Sequence, residues 1–432
     1  MPDPQPSHPV GRYRWLVCAL LFFAVSILYV DRQILSLLKP QLDEQMRWTD
    51  EQFGWINGAF LAAYGLSMMG FGWFIDRFGT KVGYIVTITA WSISAICTSF
   101  AGSVRGFLLA RFAVGGSEGG CFPTSIKTVA LWFPKSERAL ATTIFNSGTN
   151  VGAIIAPAVI PWVAFRWGWQ GAYIGAGAAG FVWLVWWLLL YNRPEKIARL
   201  KPEELAHILS DGDSAAGSGE KVSWAGLLRL RQTWSFIIGK FLTDPIWWFF
   251  LIWLPDFFKK TRNLDLKHSW LHLVSIYAIV TVLSIIGGWL TGHLMSRGWS
   301  ATKARKTGML LFALCVVPIL AVSQLGDWTV VVLIGIAGAA HQAWSANLFT
   351  TVSDMFPKPA VASVTGIGGL AGALGSMLFQ PFTGGLLDFF KTHGGAVAGY
   401  NILFIICGCI YLVTFAIHHL CAPSFERIKL PS

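Results

Sequence analysis

Apolar and polar positions alternate in long blocks along this chain, and each apolar block is about as long as a helix needs to be to cross a bilayer, about 20 residues. Twelve such blocks stand out, at approximately 15–38, 52–75, 82–101, 104–131, 138–162, 170–191, 234–258, 270–296, 307–324, 329–352, 361–390 and 396–421. The longest polar interval is 192–233. It opens with Asn192-Arg193-Pro194, predicts a short helix near 203–209, and continues through a Gly/Ser-rich stretch from Asp211 with the composition of a flexible linker. The pattern predicts an all-α membrane protein of twelve transmembrane helices in two six-helix bundles, 1–191 and 234–432, joined by a linker at 192–233.

Charge placement orients this arrangement. With the N-terminus inside, Lys and Arg favour the inner loops and tails by roughly two to one, as in Arg77, Lys81, Lys135, Arg138, Lys303, Arg305 and Lys306. Both termini are therefore expected in the cytoplasm. Composition supports the membrane reading. Charged residues make up 13% of the 432 and hydrophobic ones 54%, whereas a soluble domain is about 25% charged. The net charge of +11 is sorted by loop, so it does not indicate a nucleic-acid surface. The seven cysteines are scattered through apolar runs with no metal or disulfide spacing, and read as packing residues. Residues 1–11 are polar and Pro-rich, and the following apolar run lacks a cleavage site, so no signal peptide is expected.

Charges inside the blocks are costly, about 2.5–3.5 kcal/mol at a helix centre on insertion scales, and usually face a cavity or a partner. Arg111 and Glu118 in the fourth block are seven apart, so they share a face, yet stand about 10 Å apart along the axis, too far to pair with each other. Asp31 of the first block is the expected partner of Arg111. The expectation is a chain of Asp31, Arg111 and Glu118 lining a cavity, with Glu118 as the main proton carrier and Asp31 as the second candidate. The alternative is a static structural network. In the seventh block Lys240 and Asp244 are at i,i+4 spacing and could pair, and Lys240 is near enough to the inner end to extend toward it. Gly366 to Gly375 lacks the strand context and Lys-Ser/Thr ending of a phosphate loop and reads as a helix-packing stripe. The pairs Trp186-Trp187 and Trp247-Trp248 read as interfacial or cavity-lining.

Two loops are alike. Gly72-Trp-Phe-Ile-Asp76-Arg77-Phe-Gly79-Thr-Lys81 follows the second block, and Gly288-Trp-Leu-Thr-Gly292-His293-Leu-Met-Ser-Arg297-Gly298 follows the eighth. Related halves are the mark of a rocking transporter. The first loop fits the Gly-x-x-x-Asp-Arg-x-Gly-x-Lys signature of the major facilitator superfamily, and with twelve blocks the chain resembles that superfamily over essentially its whole length. The resemblance implies a central cavity, alternating access, and a role for Gly72, Asp76, Arg77, Gly79 and Lys81 in holding the inner ends of the bundles. Tyr29-Val-Asp31-Arg32, the run Arg111 to Pro123, and Phe145-Asn146-Ser147-Gly148-Thr149-Asn150-Val-Gly152 resemble the anion:cation symporter group. Trp167-Gly-Trp169-Gln170 and His341-Gln342-Ala resemble bacterial hexuronate transporters, whereas the Asp31-Arg32 pair resembles aldonate transporters. Thr149 stands where aldonate transporters have glutamine.

The resemblance makes Arg32 the expected receptor for a substrate carboxylate, since a guanidinium matches a carboxylate bidentately. The alternative is an arginine reaching for the outer interface. Tyr29, Tyr64, Asn146, Thr149 and Asn150 are expected to read sugar hydroxyls from the first six helices. His341, Gln342 and Trp344, with Ser345 and Asn347 nearby, are expected to do so from the tenth. The function expected is proton-coupled uptake of a small organic anion, a hexuronate such as glucuronate or galacturonate, in a bacterial inner membrane, by a monomer. Other sugar acids (aldonates, aldarates) and efflux of amphipathic compounds are the alternatives. The expected partners are the anion, protons and lipid, with no nucleic acid, no cofactor and no metal. No nucleophile–base pair or His/Glu metal constellation is placed at membrane depth, so an enzyme is not expected.

Overall fold

The computed structural model describes residues 11–210, 224–264 and 266–428. The Gly/Ser-rich stretch from Asp211 lies outside the described residues. Among the described residues every regular element is helical: α1 Tyr13–Leu37, α2 Lys39–Met46, α3 Asp50–Thr98, α4 Val104–Glu118, α5 Cys121–Trp132, α6 Lys135–Leu190, α7 Pro202–Ile208, α8 Trp224–Leu228, α9 Arg231–Arg262, α10 Leu266–Ser296, α11 Ala301–Val316, α12 Asp327–Met355, α13 Lys358–Thr392 and α14 Gly395–Cys421. Nine spans among the described residues are long and apolar enough to cross a bilayer, the 3-10 turn Val317–Gln324 extending α11 into one of them.

Twelve predicted blocks and nine continuous spans are reconciled by local backbone chemistry. Helix α3 breaks at Gly79, whose φ of 83° lies in the left-handed region that glycine enters without steric cost. Helix α6 breaks at Trp167-Gly168, where Gly168 has φ 70°. Helices α4 and α5 are separated only by Gly119-Gly120 and together make one pass. Two breaks and one additional pass account for twelve crossings. Gly298, after α10, has φ 87° and ends its helix as Gly79 does, in the loop that resembled the first.

Helix starts follow their caps. The Thr49 hydroxyl accepts from the amide of Gln52, and the Gln52 side-chain oxygen accepts from the Thr49 amide. Ser103 and Ser300 cap α4 and α11 in the same sense. Side chains that lipid would contact are large and apolar: Leu189 is 76% exposed and Ile285 70%. Such a surface is costly to expose to water and costs little against hydrocarbon.

Close packing between helices uses glycine where backbones meet. A Cβ on Gly115 would collide with the Phe60 carbonyl, and one on Gly148 or Gly152 with the carbonyls of Phe22 or Ser26 in α1. The glycine stripe of α13 behaves as expected: Gly368 faces the ring of Phe236, Gly372 faces the Asp244 carboxylate and Gly375 faces the Phe241 carbonyl.

Two ionic clusters mark the two ends. At the α2 end, Lys39 Nζ contacts Asp43 at 2.6 Å, Asp50 at 2.6 Å and Asp256 at 3.1 Å. Lys260 contacts Asp50 and Asp256 at 2.8 and 2.9 Å, Lys391 contacts Asp50 at 3.0 Å, and the Tyr400 hydroxyl donates to Asp256 at 2.6 Å. Desolvation disfavours the Lys39 ammonium, but the charges of Asp256, Asp50 and Asp43 overcome it and lift its pKa above the ordinary lysine value. Asp388 of α13 also accepts from the amides of Asp50 and Glu51, at the positive end of α3. At the opposite end, Glu204 of α7 accepts from the backbone amides of Tyr13 and Arg14, and Arg14 also binds Glu137 at 2.8 Å. The hydrogen bond from Arg14 holds the Glu137 carboxyl below its usual range, against partial desolvation and with help from His207.

Candidate functional site

A cavity of about 330 Å³ lies between the first six and last six passes. It runs from Arg32 and Trp248 near the middle of the molecule toward Asn146, Lys240 and Phe349, away from the α2 end. Its volume is within the range of small-molecule sites, about 300–1,000 Å³.

Arg32, late in α1, anchors one wall. Its Nε donates to Glu118 Oε2 at 2.6 Å. The guanidinium lies over the rings of Tyr29 and Tyr64 at 4.6 and 4.7 Å, and over Phe60 and Trp248 at 5.6 and 5.7 Å. A desolvated guanidinium stacked on aromatic faces is held rigidly and gains cation–π attraction. Arg32 is 7% exposed and faces the cavity, so it does not reach for an interface. Glu118 is the last residue of α4, at the break before α5. Side chains at Gly119 and Gly120 would strike Ser67 and Phe71 of α3, so the glycines let α3 close over the break and bury the carboxylate.

The expected chain through Asp31 and Arg111 is not formed. No ion pair within 4 Å joins them; Asp31 accepts from the Trp91 indole at 3.2 Å, and Arg111 lies over the Phe60 ring at 4.4 Å. Both are buried, and neither lines the cavity. The phase of α1 explains this: Arg32 points at the cavity, and its neighbour Asp31 is turned about 100° away, toward α3. Glu118, which needed a partner other than Arg111, finds it in Arg32 of α1.

Tyr29, Tyr64, Asn146, Thr149, His341 and Gln342 line the cavity as expected, and Ser345 joins them. Asn150, Trp344 and Asn347 do not. Trp344 is fully buried edge-on against Tyr411, and Asn347 donates back to the Ala343 carbonyl. His341 contacts the Tyr411 hydroxyl through Nδ1 at 2.6 Å and stacks on Trp247 at 5.7 Å. Lys240 and Asp244 pair at 2.7 Å and both line the cavity, so Lys240 does not extend to the inner end. Trp247 and Trp248 are lining residues, whereas Trp187 is buried in the core, stacked on Tyr191, and Trp186 is half exposed. Sequence reasoning missed Met68, Phe122 and Phe349, which are ordinary apolar residues with no signal beyond helical phase.

The loop motif lies away from the cavity. Asp76 binds Lys127 of α5 at 2.7 Å, Arg77 rests over Trp73 and Phe78, and the Lys81 carbonyl accepts from Trp187. Gly79 is needed for its φ, whereas a side chain at Gly72 would meet open space. Among the described residues, the Asp76 pair lies wholly within the first six passes.

Comparison with known proteins agrees with this geometry. The Major Facilitator Superfamily model matches residues 21–380. The "Hexuronate transporter" of Escherichia coli (strain K12) is 31% identical over 386 residues, covering 87% of this chain and 88% of that one. The "Probable galactarate/D-glucarate transporter" of the same organism is 28% identical over 437 residues, covering 96% of each. The fold matches a bacterial homologue of the human lysosomal transporter Spinster in an inward-facing, occupied conformation, with a TM-score of 0.75 at 16% identity over 95% of this chain and 97% of that one. This chain, an integral membrane transporter and not an enzyme, belongs to the Major Facilitator Superfamily, and the two relatives above are named as transporters of sugar acids.

Proposed function

We propose that this protein imports a hexuronate, such as glucuronate or galacturonate, together with protons, by alternating access across a bacterial inner membrane. Residues 1–191 and 234–432 act as the two moving bundles of a monomer, with 192–233 and both termini in the cytoplasm and the α2 end outside. The Arg32–Glu118 pair in the cavity carries this reading. One guanidinium serves two carboxylates, that of Glu118 and that of the substrate. A proton arriving on Glu118 removes its claim on Arg32 and frees the guanidinium for the ligand. Proton and anion then bind together. Release of both to the inside restores the pair. Asp31 and Arg111, one layer behind, set the field around the pair, and the neutral side chains read the hydroxyls. A dye-efflux reading is disfavoured by two cation–carboxylate pairs in the cavity wall, since an apolar cargo would displace their water and offer no polar group in its place.

The test is uptake of labelled glucuronate into proteoliposomes with an imposed proton gradient. The wild type should accumulate it. Glu118→Gln should abolish accumulation while preserving exchange of internal for external substrate. Normal gradient-driven accumulation by that variant would sink the assignment.

A further inference from the structure

The cavity holds a second charged pair that a single-carboxylate cargo does not use. Lys240, 5% exposed, and Asp244 lie one turn apart on α9 and both line the cavity, from the other set of six passes than Arg32. A buried ion pair of this kind is poor evidence for stability, because the desolvation cost matches or exceeds the attraction. Its seat is built: Gly372 of α13 leaves the space that the Asp244 carboxylate fills, and the ammonium lies over the Phe349 ring at 4.4 Å. Gln342 and Ser345 add neutral hydrogen-bonding groups on the adjoining face of α12. Charged groups in the lining are therefore two cations and two carboxylates, one pair from each set of six passes.

We infer that Lys240 forms a second anion subsite, and that the cavity accepts an α,ω-dicarboxylate sugar acid with one carboxylate on Arg32 and the other on Lys240. This rests on the reading that Arg32 receives a substrate carboxylate. An ammonium has three donors and can hold more than one carboxylate, as Lys39 does with three in this same molecule. Asp244 therefore need not leave for a ligand carboxylate to bind. A dianion would bridge the two sets of passes with charge at both ends. A hexuronate presents only hydroxyls to Lys240.

The experiment is calorimetric titration of the full-length protein in detergent with D-glucuronate and D-glucarate, which differ at one terminal carbon. The wild type should bind glucarate at least as tightly as glucuronate. Lys240→Met should weaken glucarate about tenfold or more and change glucuronate less than about threefold, with Lys240→Arg restoring most of the loss. If Lys240→Met does not fold, Asp244→Asn replaces it: with the neighbouring negative charge removed, the ammonium should bind glucarate several-fold tighter, a larger gain than for glucuronate. Glucuronate binding without glucarate binding, or equal effects of the variants on both acids, overturns the second subsite and leaves the hexuronate reading intact. Binding of neither acid overturns both.

Discussion

Arg32 has one guanidinium and, in the proposed cycle, two carboxylates competing for it, so its geometry should matter as much as its charge. Lysine keeps the charge but loses the planar fork and the stacking on Tyr29 and Tyr64. Arg32→Lys should therefore lower hexuronate affinity about tenfold or more, the scale of one charged hydrogen bond, read by calorimetry. Unchanged affinity would count against Arg32 as the receptor. At this scale the sequence was legible where a charge had no business at membrane depth: Arg32, Glu118, Lys240 and Asp244 all announced themselves, and all line the cavity. Asp31 and Arg111 announced themselves equally and do not. Spacing within one helix says which side chains share a face, but it does not say which neighbouring helix that face meets. Trp344 fails for the same reason, one residue out of phase with the lining positions Gln342 and Ser345.

Among elements, the contact between α3 and α4 depends on which glycine touches backbone. Gly115 and Gly116 are adjacent and indistinguishable in sequence, yet a Cβ at Gly115 would overlap the Phe60 carbonyl while one at Gly116 just reaches the Ala63 methyl at 4.0 Å. Gly115→Ala should cost about 1–3 kcal/mol through forced separation of the helices. Gly116→Ala should be near neutral. Melting temperatures in detergent check both, and a similar loss at both positions would contradict this packing. Block lengths made the helices legible, because bilayer thickness fixes them. The breaks at Gly79 and Gly168 fall in the gaps between blocks, 75–82 and 162–170, whereas the Gly119-Gly120 pair interrupts a single block and had no signal of its own.

On the scale of the whole molecule, the α2 end is held shut by ions drawn from both sets of passes. Lys39 is the hub, and Lys260 is a second cation for Asp50 and Asp256. Lys39→Met should therefore shift the equilibrium toward opening at that end, roughly tenfold, less than the full ~3–5 kcal/mol of an uncompensated buried pair. Pulsed spin-label distances between positions 44 and 263, both exposed, should gain a longer population. An unchanged distribution would remove Lys39 from the closure. The folded-state pKa of Lys39 is raised, so its contribution is fully present below the ordinary lysine value and is lost only as pH rises through the raised one. The same distances should accordingly hold steady from about pH 6 to pH 9.

That closure is made of charge, with the apolar pair Phe53 and Trp253 lying edge to face beneath the ammonium of Lys39. When the two sets of passes part, each ion regains the water it gave up, so much of the attraction lost is recovered as hydration. A greasy plug of equal strength would have no such recovery and would favour one state throughout the cycle. Built from ions, the two states can lie close in free energy, and the medium can tilt them: dissolved salt pairs with the parted charges and not with the buried ones, so rising ionic strength favours the open mouth.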